Sequence, residues 1–230
     1  MRTILDKAEN IGYNVSIKMF RKEGRVDIKK ILIALGISEM AENFKNVRTV
    51  ALTAVLVALT IVGNGVTKIP LAMGLEIRFG FVFLSAIAFL FGPLVTFAAG
   101  FIASFLAFVL FPTGFGFNLL FDLNAGLAGL LYAVFLYRRN YKSEYFVIWI
   151  VCAKIVVNFI CNIMINTYLM AGYVGSLAEI LTITRVFKNI ALLPGEIVVM
   201  LFAIKYIAAS ATKYRFAKLA GGKKKEGKTT

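Results

Sequence analysis

Lys154, Asn158, Asn162 and Asn166 step by four along one apolar stretch, and Arg185, Lys188 and Asn189 stand at i, i+3 and i+4 along another. At helical spacing each set falls on a single face. Asn118 and Asp122, again four apart, make a third face, and Arg78 stands just before a further apolar run. Charged and amide groups within so much hydrocarbon are costly, so they mark a site by default. Polar faces from several helices together line a pocket, whereas a single Asn serves equally well as interhelical glue. Arg78, Arg185 and Lys188 outnumber Asp122, so an anionic group is the natural guest, and Arg holds a carboxylate or phosphate through two N–H groups. A carboxylate at Asp122, with Asn amides nearby, could accept paired N–H donors from a guanidine-like or aminopyrimidine edge. Phe79, Phe81, Phe115, Phe117, Phe121, Tyr168 and Tyr173 could stack on a flat ring. An internal ion pair of Asp122 with Arg185 or Lys188 is the rival use of that carboxylate. The residues thus suggest a binder of a flat, amino-bearing, anionic small molecule.

The elements that position these groups follow from hydropathy. Of 230 residues, 60% are hydrophobic and 17% charged, and the mean hydropathy is +0.81. A soluble domain of this size cannot hide so many apolar side chains, so the expected class is an all-α integral membrane protein. Val50 to Thr67 is free of charge and long enough for one crossing. The uncharged run from Phe79 to Phe121 would make a helix of about 65 Å, twice the ~30 Å of hydrocarbon, so it must turn back. Gly92-Pro93 supplies the break, giving helices over about 77–91 and 93–110. Further helices are expected over about 118–137, 145–170 and 184–208, with Gly172 to Leu181 as an outer loop. That makes six crossings with both termini on the same side.

Charge fixes which side. The formal charge is +14, concentrated in the first 50 residues, in the tail with Lys223, Lys224 and Lys225, and in the loop with Arg138, Arg139 and Lys142. Cytoplasmic flanks collect Lys and Arg because these resist translocation, so both termini are placed in the cytoplasm. Nucleic-acid binding is the other use of basic ends, and the topological use is preferred. Three regions result: a cytoplasmic or interfacial extension over 1–46, a six-helix substrate-binding domain over 47–208 and a basic cytoplasmic tail over 209–230. Within the first, Ile28, Ile31, Leu32 and Leu35 recur at helical spacing and predict a short amphipathic helix.

Several chemistries are disfavoured. Histidine is absent, and Cys152 and Cys161 lack metal spacing, so neither a metal site nor a cofactor is expected and both thiols are read as buried. No G-x-x-x-x-G-K-[ST] loop is present to handle ATP, and no ladder of midmembrane acids marks a proton relay. No nucleophile and base stand out, so no catalytic residue is assigned and the chain is not read as an enzyme. Lys154 lies nearer the cytoplasmic half, where it would snorkel inward or touch a partner. The segment Gly63 to Leu75, with Gly63, Gly65, Pro70 and Gly74, is either a lid over the outer mouth or a plain connection.

The small residues Ala54-Val55-Leu56-Val57-Ala58 in the first helix resemble a pattern of the substrate-binding S components of energy-coupling factor (ECF) transporters. The runs Leu75 to Phe81, Phe91-Gly92-Pro93-Leu94-Val95, Phe111-Pro112-Thr113-Gly114, Asn166-Thr167-Tyr168-Leu169 and Arg185 to Pro194 are similar to the folate-specific S components. The similarity covers residues 47 to 208. It implies a prokaryotic plasma-membrane subunit that captures folate outside and docks on a membrane coupling subunit carrying two ATPases, which consume the ATP. The docking surface would be Ala51, Ala54 and Ala58, whose small side chains let a partner backbone approach. Substrate would be held by residues among Arg78, Phe79, Phe81, Asn118, Asp122, Asn158, Asn162, Asn166, Tyr168, Arg185, Lys188 and Asn189. One departure stands out: where Phe111 to Gly114 should be followed by Pro-Gly and small hydroxyl residues, this chain has Phe117 to Asn124. Riboflavin and pantothenate remain alternative substrates, and an ion-coupled carrier working alone is the alternative mechanism.

Overall fold

The computed structural model describes residues 47–67, 69–70, 76–112, 116–174 and 178–213. The amphipathic segment expected around residues 28–35 and the lysine-rich tail lie outside the described residues, as do Phe115 and, within the proposed lid, Lys68 and residues 71–75. The elements are α1 (Val47–Gly65), β1 (Ile69–Pro70), β2 (Glu76–Ile77), α2 (Gly80–Phe91), α3 (Pro93–Leu110), α4 (Leu119–Leu136), α5 (Phe146–Val157), a π-helical segment (Asn158–Ile165), α6 (Asn166–Val174) and α7 (Ala178–Lys213). Among the described residues the architecture is helical apart from one antiparallel ribbon, in which Ile69 pairs with Ile77 and Pro70 with Glu76. The connection expected as a lid or loop is therefore pinned at its base by this ribbon.

Among the described residues four helices are long and apolar enough to cross a membrane: Pro93–Leu110, Leu119–Leu136, Phe146–Gly172 and Ile183–Ser210. Two shorter apolar helices, Val50–Gly65 and Gly80–Phe91, accompany them. This is a multi-pass membrane protein. The break expected at Gly92-Pro93 is present, with Gly92 at φ +86° and Pro93 as the first residue of α3. A Cβ on Gly92 would be strained by that φ and would touch the Tyr137 ring. Two boundaries need correction. α2 starts at Gly80 rather than near 77, because Glu76 and Ile77 are used in the ribbon. The last helix runs from Ala178 to Lys213 rather than over 184–208, so the loop expected at 172–181 is shorter. Nothing in Ala178 to Thr184 breaks a helix, and an apolar run marks only the hydrocarbon-facing part of a longer rod.

α2 is the central helix. Every residue from Leu84 to Phe91 is buried, and an all-round apolar helix belongs inside a bundle. Ile87, Phe89 and Phe91 join Tyr132, Leu136, Phe146, Ile150, Met200 and Ile204 in one core. The buried hydroxyls of Thr60, Ser85 and Thr96 donate to backbone carbonyls of their own helices, at Leu56, Val82 and Gly92, which satisfies them without a partner. Small residues bring α3 and α4 close together: a Cβ on Gly100 would lie 2.6 Å from the Ala125 carbonyl oxygen, and one on Gly129 2.6 Å from that of Thr96. In lipid, where burial gives little drive between helices, such close packing holds them together.

Candidate functional site

α7 carries the pattern that builds the site. Arg185, Asn189, Glu196, Met200, Ile204 and Ala208 are spaced so that they fall on one stripe, and all but Glu196 are buried. Its first half is polar and its second half apolar, so the stripe changes from cavity wall to core along one helix. Opposite it, α5 presents Lys154 and the π-helical segment presents Asn162, with Asn166 at the start of α6. α4 contributes Asn118, Asp122 and Tyr132, and α2 contributes Phe81. These walls enclose a cavity of about 490 Å³, within the ~300–1,000 Å³ of small-molecule pockets.

Nine of the expected residues line this cavity: Arg78, Phe81, Asn118, Asp122, Asn162, Asn166, Arg185, Lys188 and Asn189. Three do not. Phe79 ends the ribbon connection, its N–H donating to the Gly63 carbonyl at 3.0 Å. Asn158 is buried behind the wall and its Oδ1 accepts from Asn162 Nδ2 at 2.7 Å. Tyr168 is 80% exposed on the outside of the bundle. The chain over Asn158–Ile165 is π-helical, with wider turns than an α-helix, yet Asn162 and Asn166 of the expected ridge both stay on the cavity wall. Asn124 donates from α4 to the Cys161 carbonyl in this segment at 3.1 Å, so one amide does serve as helix glue. Asn118 also caps α4, accepting from the Leu120 N–H.

The polar groups that face the cavity divide by sign. Asp122 accepts from Ser104 Oγ through Oδ1 at 2.6 Å, while its buried Oδ2 has no hydrogen-bond partner. Arg185 is 8% exposed, and its buried Nε and Nη1 have none. Arg78 acts on Arg185 as a like charge. Asp122 Oδ2 and the two Arg185 nitrogens therefore remain for something else to satisfy, and leaving such groups unpaired is expensive.

Lys154 requires a correction. It neither snorkels nor reaches the surface: it is 1% exposed, its Nζ lies 3.2 Å from Glu196 Oε2, and it donates to Tyr132 Oη at 3.4 Å. The ammonium also sits 3.4 Å over the Phe81 ring. Glu196 and Tyr132 were missed in the sequence, although Glu196 continues the Arg185–Asn189 stripe. Cys161 is buried and Cys152 half-buried, both free. The basic loop residues Arg138, Arg139 and Lys142 stack on Tyr137, Trp149 and Tyr141, with Arg139 3.5 Å above the indole.

The family model described as the ECF-type riboflavin transporter, S component, matches residues 44–209. The chain belongs to this family of S components. It is therefore a transport subunit and not an enzyme. The S component is 26% identical over 163 residues to the folate transporter FolT of Clostridium novyi (strain NT), covering 71% of this chain and 91% of that protein. A crystal structure of FolT bound with folic acid is also similar, at 27% identity and a TM-score of 0.60, covering 69% of this chain and 92% of that one.

Proposed function

We propose that this S component binds folate from outside the cell and delivers it through an ECF coupling subunit that carries two ATPases. The reading rests above all on the charge pattern of the cavity, where Arg185 with its unpartnered Nε and Nη1 lies near Arg78 and Lys188, while Asp122 keeps an unpartnered Oδ2 for a donor elsewhere along the ligand. Folate carries two carboxylates on a glutamate tail and an amino-pyrimidinone edge on a flat ring. Riboflavin, the substrate in the matching family's description, has no ionised group at neutral pH, and the buried Arg185 guanidinium, whose Nε and Nη1 have no hydrogen-bond partner, would favour an anion over it. The aromatic side chains Phe81, Phe108, Phe117 and Phe121 on the wall suit a flat ring.

In this reading the chain crosses the membrane six times, α1 and α2 included, with both termini in the cytoplasm. Docking would use Ala51, Ala54 and Ala58, which are exposed on α1 and follow one another at helical spacing. The test is mass spectrometry of small molecules released from detergent-purified protein, followed by titration with folic acid and riboflavin. Stoichiometric folate is expected. Riboflavin bound in its place would overturn the substrate, and uptake into proteoliposomes by this chain alone without ATP would overturn the mechanism.

A further inference from the structure

We propose that Glu196, Lys154 and Tyr132, with the Phe81 ring, form the subsite that reads the donor and acceptor edge of the ligand's flat heteroaromatic head. This rests on the folate reading and adds specificity-determining residues to it. Eleven residues separate Arg185 from Glu196 on one stripe of α7, which sets the two stations about 16 Å apart along the helix. All four side chains line the same cavity as Arg185. A long ligand with an anionic tail at the Arg185 end therefore puts its other end against Glu196.

The chemistry at that end is donor and acceptor side by side. Lys154 offers N–H donors, already in contact with the Glu196 carboxylate at 3.2 Å and the Tyr132 hydroxyl at 3.4 Å. Glu196 Oε2 is held by the Lys154 ion pair, but a carboxylate has more lone pairs than one ammonium contact uses, so acceptor capacity is left for a ligand N–H. A keto-amino ring edge presents the complementary acceptor and donor in one plane. The ammonium over Phe81 marks an aromatic wall beside this pair. Stability does not account for the pair, because a buried ion pair costs desolvation that apolar packing would avoid. Recognition does account for it, since a site built to hydrogen-bond a polar edge rejects analogues that lack it.

The test compares folic acid with aminopterin, which keeps the tail and replaces the ring's keto oxygen with an amino group. Glu196→Gln keeps the size of the side chain but puts a donor where the carboxylate has only acceptors. The ratio of the two dissociation constants is expected to change by about tenfold in this variant, with the protein still monodisperse in detergent. An unchanged ratio overturns the inference even if both ligands weaken together, since that is what a merely structural role would produce. If Glu196→Gln does not fold, the exchange Lys154→Glu with Glu196→Lys preserves the ion pair and is read the same way, an unchanged ratio again overturning the inference. Failure of the wild-type protein to bind folic acid overturns the folate reading and this inference with it, whereas wild-type binding with an unmoved ratio in the variant overturns the inference alone.

Discussion

Replacing Arg185 with alanine separates a ligand-binding cation from a structural one. In the free protein the guanidinium is buried, two of its nitrogens lack hydrogen bonds and Arg78 acts on it as a like charge. Removing it should therefore cost the unliganded fold little and relieves part of that repulsion. With a carboxylate present, Nε and Nη1 would each donate a charge-assisted hydrogen bond, and net values of ~1.5–3 kcal/mol apply to bonds of this kind. Because the empty site already bears the desolvation cost of the guanidinium, that cost cancels from the binding difference, and the net penalty is expected at the scale of at least one such bond. That is a weakening of folate binding by roughly 10- to 150-fold. The assay is isothermal titration in detergent together with a thermal melt of the unliganded protein. Arg185→Lys, which keeps the charge but not the planar fork, should fall between the two. An affinity within about twofold of wild type would remove Arg185 from the site, and a marked fall in the unliganded melting temperature would show that the guanidinium is structural.

Two further outcomes test the fold and the docking surface. Ala54→Trp, on the exposed face of α1, should leave folate affinity unchanged and abolish uptake in vesicles containing the coupling subunit and ATPases, because the indole keeps the partner backbone away; lost binding in detergent would contradict the docking role. Gly100→Val would drive a side chain into the Ala125 carbonyl 2.6 Å from the Cβ position, a destabilisation of about 1–3 kcal/mol and a melting temperature lower by roughly 2–12 °C. Gly195→Ala, where nothing lies within 4 Å of the added carbon, should leave the melting temperature unchanged or raise it, and equal behaviour of the two variants would sink the packing argument.

The sequence by itself determined the membrane class, the break at Gly92-Pro93 and the three polar faces. Each of these rests on local physics: hydropathy over a bilayer's length, a residue that cannot continue a helix, and helical spacing. Asp122, Asn162, Asn166, Arg185, Lys188 and Asn189 face the cavity for the same reason, since a polar side chain in an apolar helix turns inward wherever it lies along the rod. The tertiary structure alone decided the rest. Asn158 leaves the wall because its side chain is taken up by Asn162, and Tyr168, two residues from Asn166, falls on the outward face of α6. Phe79 is withdrawn by a ribbon of two residues on each strand, too short to leave a hydropathy pattern. Glu196 is set beside Lys154 across forty-two positions of chain, and no spacing rule connects α5 to α7. A lone charge in an apolar stretch marks a cost, but its partner is chosen only when the helices pack, because electrostatic pairing depends on distance in space and sequence records only distance along the chain.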